Sequence, residues 1–442
     1  MSTGPDDASI EDPTASATPL LEPRDGLPEV MTSDRALREY AARLADGDGP
    51  IAVDAERASG YRYGQRAYLV QVRRADVGTA LIDPIALPDL SVLNDAMSHR
   101  EWILHAASQD LPCLAELGLV PTRVFDTELA GRLAGRARVG LGPLVATELG
   151  LALEKGHSAA DWSKRPLPDS WLRYAALDVE VLDELRDVLA ADLAAQGKLE
   201  WADEEFAAIV AAPPKPARVD PWRRTSGINR VRSTRQLAIV REMWNTRDDI
   251  ASQRDMAPGR ILPDSAIVEA AVAAPRTRSG LESLPAFTSR GARRNLREWS
   301  RAITRALDLP DDQLPTRNLK TDEPPAARAW LDRDPEAAAR LAAARAAVGA
   351  EADALHVPVE NLISPDVVRR ICWSPPTAHT ADAVAERMRA MGARSWQVAH
   401  CAALVAGALD ERATPEAIAK AGRFRSRSGP GNRYATAEVT DE

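Results

Sequence analysis

The sequence predicts an α/β domain with a mixed sheet, followed by all-helical units, and three observations carry that prediction. Short β-like runs separated by turn residues begin at Ile51 and then alternate with helical stretches. The Pro-rich stretch Ala211-Ala-Pro-Pro-Lys-Pro216 divides the chain. Beyond it, from Thr234 onward, the apolar spacing is helical only. At 442 residues the chain exceeds what one core usually serves, about 100–200 residues, so two or three domains are expected.

In chain order, residues 1–30 are rich in Pro, Ser, Thr and acid, and are expected to be disordered. An α/β domain is expected over 31–210. Ile51 to Glu56, Tyr68 to Val72 and Ala80 to Asp83 read as three strands at hairpin spacing, with turn signals at Gly60, Gly64 and Asp76-Val-Gly78. Leu90 to Met97 reads as a helix and Trp102 to Ala106 as a fourth strand, a β-β-β-α-β start. A long helical stretch follows from about Pro168 to Ala195. After a linker at 211–227, one helical cluster spans 228–305. A second, Ala-rich one spans 326–410 beyond Asp322-Glu-Pro-Pro325, and the two suggest a duplicated small domain. The tail, 413–442, is expected to be flexible.

Composition excludes several classes. Apolar residues make up 45% and charged ones 27%, an ordinary globular balance. No apolar run is long enough to cross a membrane, and the acidic N-terminal stretch lacks the basic start and apolar core of a secretory signal. Cys113, Cys372 and Cys401 form no CxxC pair. A cytoplasmic location is expected. Gly197-Lys198 lacks the earlier Gly and the following Ser or Thr of a phosphate loop, so no nucleoside triphosphate is expected as a partner. Residues 1–210 hold 20 basic against 36 acidic residues, and 211–442 hold 36 against 29. That split suggests separate tasks for the two halves.

The chemistry lies in the acids. Asp54 and Glu56 alternate within the first strand, so both carboxylates face the same way. Asp110 follows the fourth strand at a strand-to-helix turn. Tyr174 and Asp178 stand four residues apart on a helix and share a face. Each feature alone has a commoner structural reading: a helix-start acid for Asp110, a core Tyr beside a surface Asp for the pair. Together they supply the oxygen ligands that hard divalent cations require. Two such ions about 3.5–4 Å apart can clamp the attacking and leaving oxygens of a phosphodiester.

At these residues the chain resembles the DEDD superfamily of 3′–5′ exonucleases, and within it the ribonuclease D family. The matching stretches are Val53-Asp-Ala-Glu56, Leu104-His-Ala-Ala-Ser-Gln-Asp-Leu111 and Tyr174-Ala-Ala-Leu-Asp-Val179, with Phe125-Asp-Thr-Glu-Leu-Ala130 and Lys155-Gly-His-Ser-Ala-Ala-Asp-Trp-Ser-Lys-Arg-Pro-Leu167 between them. The resemblance implies a ribonuclease H-like exonuclease domain with Asp54, Glu56, Asp110 and Asp178 as ligands of two divalent ions, Mg²⁺ or Mn²⁺. Tyr174 would orient the nucleophilic water. The His branch of the superfamily would carry a His where Arg173 stands. His105 and Gln109 are expected in the cleft wall, and His157 either shapes the cleft or lies on the surface.

The second half extends the resemblance. Trp244 to Ile250 and Pro258 to Asp264 resemble an HRDC domain, a helical unit thought to bind nucleic acid. Arg241, Arg247, Arg254, Arg260, Arg276, Arg278, Arg290, Arg293, Arg294 and Arg297 offer it phosphate-neutralising charge. Residues 326–410 are expected to form a second, degenerate HRDC-like domain, with Trp373 and Trp396 in its core. The function implied is hydrolysis of RNA from its 3′ end to nucleoside 5′-monophosphates, with transfer RNA precursors or other structured RNA as partners. The alternatives are a DNA 3′–5′ exonuclease in repair and a non-catalytic RNA-binding protein, the latter expected to have lost an acid. The charge split further predicts that removing 217–442 leaves cleavage of short oligonucleotides intact.

Overall fold

The structure, a computed structural model, describes residues 17–417 apart from 155, 215, 217 and 318–322. Its strands are β1 (Thr18–Leu20), β2 (Val30–Met31), β3 (Ile51–Arg57), β4 (Ala67–Arg74), β5 (Gly78–Ile82), β6 (Glu101–Leu104), β7 (Arg123–Asp126) and β8 (Leu151–Leu153). Six of them form one sheet in the order β2-β5-β4-β3-β6-β7. The β3–β4 and β4–β5 pairs are antiparallel, while β2–β5, β3–β6 and β6–β7 are parallel. A mixed sheet of this kind is covered on both faces, and β3 and β4 are accordingly buried along almost their whole length.

Helices α1 (Asp34–Ala45), α2 (Ser91–Met97), α3 (Leu111–Ala115), α4 (Thr127–Leu133), α5 (Leu141–Leu149), α6 (Asp169–Glu180), α7 (Leu182–Ala195) and α8 (Leu199–Ala211) surround the sheet. The helical stretch expected to run from 168 to 195 is divided at Val181, whose backbone (φ −98°, ψ −6°) sits at the margin of the right-handed helical region. No Gly or Pro marks that break. It lets α6 face the sheet while Leu185, Leu189 and Leu193 of α7 turn into a different core.

Residues 17–30 correct the expectation of disorder. β1 pairs in parallel with β8 as a separate two-stranded sheet, and β2 joins the edge of the main one. Leu27 and Val30 pack against a cluster that includes Leu172 and Ala176 of α6. A short polar segment cannot fold by itself, but here it is tied down by partners far along the chain. Residues 1–16 and 418–442, where the rest of the disordered segment and most of the flexible tail were expected, lie outside the described residues, as do Lys155 and Asp322.

Beyond α8 the chain enters a helical unit of α9 (Thr234–Gln253), α10 (Pro258–Ile261), α11 (Asp264–Ala273), α12 (Arg278–Glu282), α13 (Arg290–Arg294) and α14 (Leu296–Asp308). Ser233 and Gln236 close a capping box on α9. This unit starts earlier than position 228, because Trp222, within the expected linker, is 2% exposed and lies in its core. It docks onto the loop after β3. Ala257 N donates to Tyr61 O (3.0 Å), the Arg260 guanidinium lies 4.1 Å from the Tyr61 ring centre, and Tyr63 donates to Asp248 (3.1 Å).

The last unit comprises α15 (Trp330–Arg333), α16 (Pro335–Leu355), α17 (Val359–Leu362), α18 (Pro365–Trp373), α19 (Ala381–Ala390) and α20 (Ser395–Ala408). It repeats the long helix, single turn and helix of α9–α11. The residues after α10 and α17, Leu262 and Ile363, have nearly the same backbone angles (φ −158° in both, ψ 123° and 137°). The expectation of a self-contained domain at 326–410 needs correcting, however. Leu341, Val348, Ile371, Val405 and their neighbours share one continuous core with Phe125, Leu144, Leu185, Leu189 and Phe206 of the α/β domain. Trp396 stacks on Trp201 of α8 (4.9 Å, 7° between planes) and donates to the buried Glu205. Trp373 packs on Trp330. Helical periodicity reveals which face is apolar but not what covers it. Removing 217–442 would therefore strip the α/β domain of part of its own core, and the separability expected from the charge split does not hold.

Candidate active site

Strand β3 lies inside the sheet and presents Asp54 and Glu56 toward α6, which brings Tyr174 and Asp178 from its own side. Carboxylate oxygens of Asp54, Glu56 and Asp178 all lie within 4.8 Å of one another. A register shift between Glu56 and Arg57 breaks the ladder with β4 immediately after the acidic pair. Such irregularities commonly re-aim side chains beside active sites.

Asp110 arrives by a different route. After β6 the chain turns through Ala106 in the left-handed region (φ 59°, ψ 49°), makes one 3₁₀ turn over Ala107–Gln109, and presents Asp110 at the start of α3. The turn is held by Asp126, 4% exposed, whose carboxylate accepts from Ala106 N (3.1 Å) and Ala107 N (2.9 Å) while capping α4 through Glu128 N and Leu129 N. Arg57 donates to Gln109 O (3.0 Å) and pairs with Asp110 (3.2 Å). Sequence reasoning assigns no role to Arg57 or Asp126. Only an Asp just before a helix, the mark of an N-cap, points to Asp126.

The crowding shows in the proton affinities. Burial, reinforced by the charges of Asp54, Asp178 and Asp110, holds Glu56 well above the usual carboxylate range. Asp178 is raised by burial and by Asp54. Burial and the Asp54 charge push Asp110 up to about 8, and burial also raises Asp54 itself. Asp54 thus raises its three acidic neighbours alike, and it shares a hydrogen bond with Asp110. Tyr174 shares one with Asp178, and burial followed by the Asp178 charge raises its phenol, so it keeps its proton at neutral pH. A like-charged carboxylate cluster of this kind fits a hard divalent cation.

Around this centre, His157 presents its ring edge-on to Tyr174, with centroids 5.8 Å apart, so it lies at the cleft. His105 is half-buried against Thr127 (2.9 Å), and burial lowers it to about 4, leaving it neutral. Gln109 is exposed. Of the ten arginines expected to meet phosphate, five are committed elsewhere. Arg247 is buried and donates to Leu262 O and Asp264, Arg254 donates to Asn295, and Arg260 lies over Tyr61, while Arg241 and Arg278 pair with Glu242 and Glu282. Arg276, Arg290, Arg293, Arg294 and Arg297 are exposed, and their side chains have no ion-pair or hydrogen-bond partner among the described residues.

This fold and acid cluster define a 3′–5′ exonuclease. Residues 28–194 match the family model described as 3′-5′ exonuclease, 236–303 the HRDC domain, and 323–409 the 3′ to 5′ exonuclease C-terminal domain. The chain is 32% identical over 306 residues to the ribonuclease D of Jannaschia sp. (strain CCS1), an alignment covering 65% of this chain and 77% of that protein. A solved structure of a protein from Bifidobacterium adolescentis superposes with TM-score 0.81 at 38% identity, over 89% of this chain and all of the other. Escherichia coli RNase D, described as an exoribonuclease involved in structured RNA processing, has the same fold (TM-score 0.62, 24% identity, covering 82% and 98%). The chain belongs to the ribonuclease D family. It is a 3′–5′ exoribonuclease that acts on RNA with the help of divalent metal.

Proposed function

We propose that Asp54, Glu56, Asp110 and Asp178 hold two divalent ions, Mg²⁺ or Mn²⁺, and that the enzyme releases nucleoside 5′-monophosphates one at a time from the 3′ ends of structured RNA, transfer RNA precursors among them, in the cytoplasm. The observation that carries this reading is the meeting of three carboxylates within 4.8 Å under a protonated phenol. Bound ions would supply the activation of water and the neutralisation of the phosphodiester. Asp54, whose charge acts on every other acid, is the ligand best placed to be shared between them. Tyr174 holds the water in line through its hydroxyl. Because its proton stays on, it orients rather than deprotonates. Arg57 holds Asp110, and Asp126 holds the turn that carries it. The test is incubation of the full chain with 3′- and 5′-labelled RNA and DNA, with and without Mg²⁺. Monophosphates from RNA 3′ ends only when metal is present are expected. Cleavage of DNA in preference to RNA would overturn the reading.

The raised acids have a consequence for stability. Each binds its proton more tightly in the folded than in the unfolded chain, so its contribution is full below about pH 4 and is lost as pH climbs through the folded value, about 8 for Asp110. The melting temperature of metal-free protein should therefore fall between about pH 4 and pH 8. Divalent ion should restore it more at the upper end, since binding requires deprotonated ligands. Calorimetric scans with chelator and with Mn²⁺ across that range check both signs.

The exposed Arg290, Arg293, Arg294 and Arg297 stand within eight residues. Changing all four to Gln should weaken binding of structured RNA and flatten its salt dependence by up to about 0.7–0.9 for each phosphate that these side chains neutralise. Saturated turnover of short oligonucleotides should be unchanged. Parallel salt titrations of the variant and parent measure this, and equal slopes would remove these residues from the RNA path.

A further inference from the structure

The segment between β1 and β2 makes a chain of contacts that the nuclease reading does not use. Glu22 lies 2.8 Å from Arg173, the residue before Tyr174. Arg24 pairs with Glu184 (3.2 Å) and reaches Glu180 (3.8 Å), two residues beyond Asp178. Asp25 pairs with Arg73 (3.1 Å), which in turn pairs with Glu180 (3.4 Å). The side chain of Glu180 is fully buried and that of Arg73 nearly so. Arg73 belongs to β4, on the same face as Gln71, the residue directly opposite Asp54 in the β3–β4 ladder. Leu27 and Val30 of the same segment pack in the cluster that holds Leu172, Ala175 and Tyr174.

We propose that residues 17–31 form a strap that fixes the distance of α6 from β3 and thereby sets the affinity of the site for divalent ions, with Arg24, Asp25 and Arg73 as positioning residues. The proposal rests on the reading of Asp178 as a ligand. The physical need is plain: α6 must carry Asp178 against the like charges of Asp54 and Glu56, and repulsion drives the two elements apart. Glu180 supplies a handle on α6 just beyond the ligand. Arg73 faces it from the sheet and Arg24 from the strap, both at ion-pair distance without a hydrogen bond to either carboxylate oxygen. Asp25 pairs with the Arg73 guanidinium, and Glu22 pairs with Arg173 near the middle of the helix, beside Tyr174. A buried carboxylate that loses one of two cationic partners is strongly destabilised, so loosening the strap lets α6 move away from β3.

The experiment measures Mn²⁺ binding by electron paramagnetic resonance of the free ion, using the full chain without RNA. Arg24→Gln should bind Mn²⁺ about tenfold more weakly, the lower end of what partners behind metal ligands usually contribute. Arg24→Lys should recover most of the loss. Glu22→Gln, which removes the exposed member of its pair and leaves the core untouched, should weaken binding in the same direction, with metal-free circular dichroism unchanged. Parent-like Mn²⁺ affinity in Arg24→Gln or in Glu22→Gln would overturn the proposal, as would a loss in Arg24→Gln that Arg24→Lys does not repair. Asp178→Asn, titrated alongside, separates the two readings: if it binds Mn²⁺ like the parent, the ligand assignment fails, whereas if it loses binding and the strap variants do not, only the strap does.

Discussion

Asp54→Ala is expected to leave no measurable RNA hydrolysis while melting no lower than the parent in metal-free buffer. The two halves of that result have one cause. Asp54 stands where its charge raises Glu56, Asp110 and Asp178 together, so removing it takes away the ligand proposed to be shared and relieves the repulsion. Metal-borne stabilisation of a reacting phosphoryl group amounts to several kcal/mol, and about 4 kcal/mol corresponds to roughly a thousandfold in rate. Single-turnover cleavage and a metal-free melt of the same preparation check both halves. Substantial turnover in the variant would remove Asp54 from the mechanism, and a collapsed fold would show that the carboxylate serves the sheet instead.

Tyr174→Phe should slow the chemical step by about 10²–10⁴, the usual worth of a positioned proton-bearing group, with Mn²⁺ affinity little changed. The ring keeps its packing against the cluster that includes Leu172, Ala175 and Ala176. What disappears is the hydroxyl, which the geometry sets beside Asp178 and burial keeps protonated. A general base would make the rate track ionisation of the phenol, whereas an orienting hydroxyl leaves the loss nearly constant from pH 6 to 9. Single-turnover rates across that interval distinguish the two roles, and an unchanged rate would leave the phenol with neither.

The strands and the acids were legible because both depend on local spacing. Alternation put Asp54 and Glu56 on one face, and the four-residue step put Tyr174 over Asp178. The same logic failed wherever the partner lies far away. Nothing in the polar run around Arg24 announces Glu180, more than 150 residues later, so a segment pinned by ion pairs read as disordered. The break at Val181 carries no Gly or Pro because tertiary packing imposes it. Arg247 and Arg260 looked like phosphate ligands because composition counts charge without showing that Asp264 and Tyr61 already hold it.

The shared core of α7, α8 and the last five helices bears on the order in which the protein can be made. At about 5–20 residues per second of synthesis, the leucines of α7 wait on the order of 10–40 s for α16–α20 to emerge and cover them. Until then the newborn nuclease domain has an open flank, and α7, packed on α4, α5 and the sheet, lacks the part of its cover that the last helices supply. The core that α7 shares with the last helices thus closes only at the end of translation. A chain interrupted after the HRDC unit carries every residue of the proposed active site and lacks part of the core beside it.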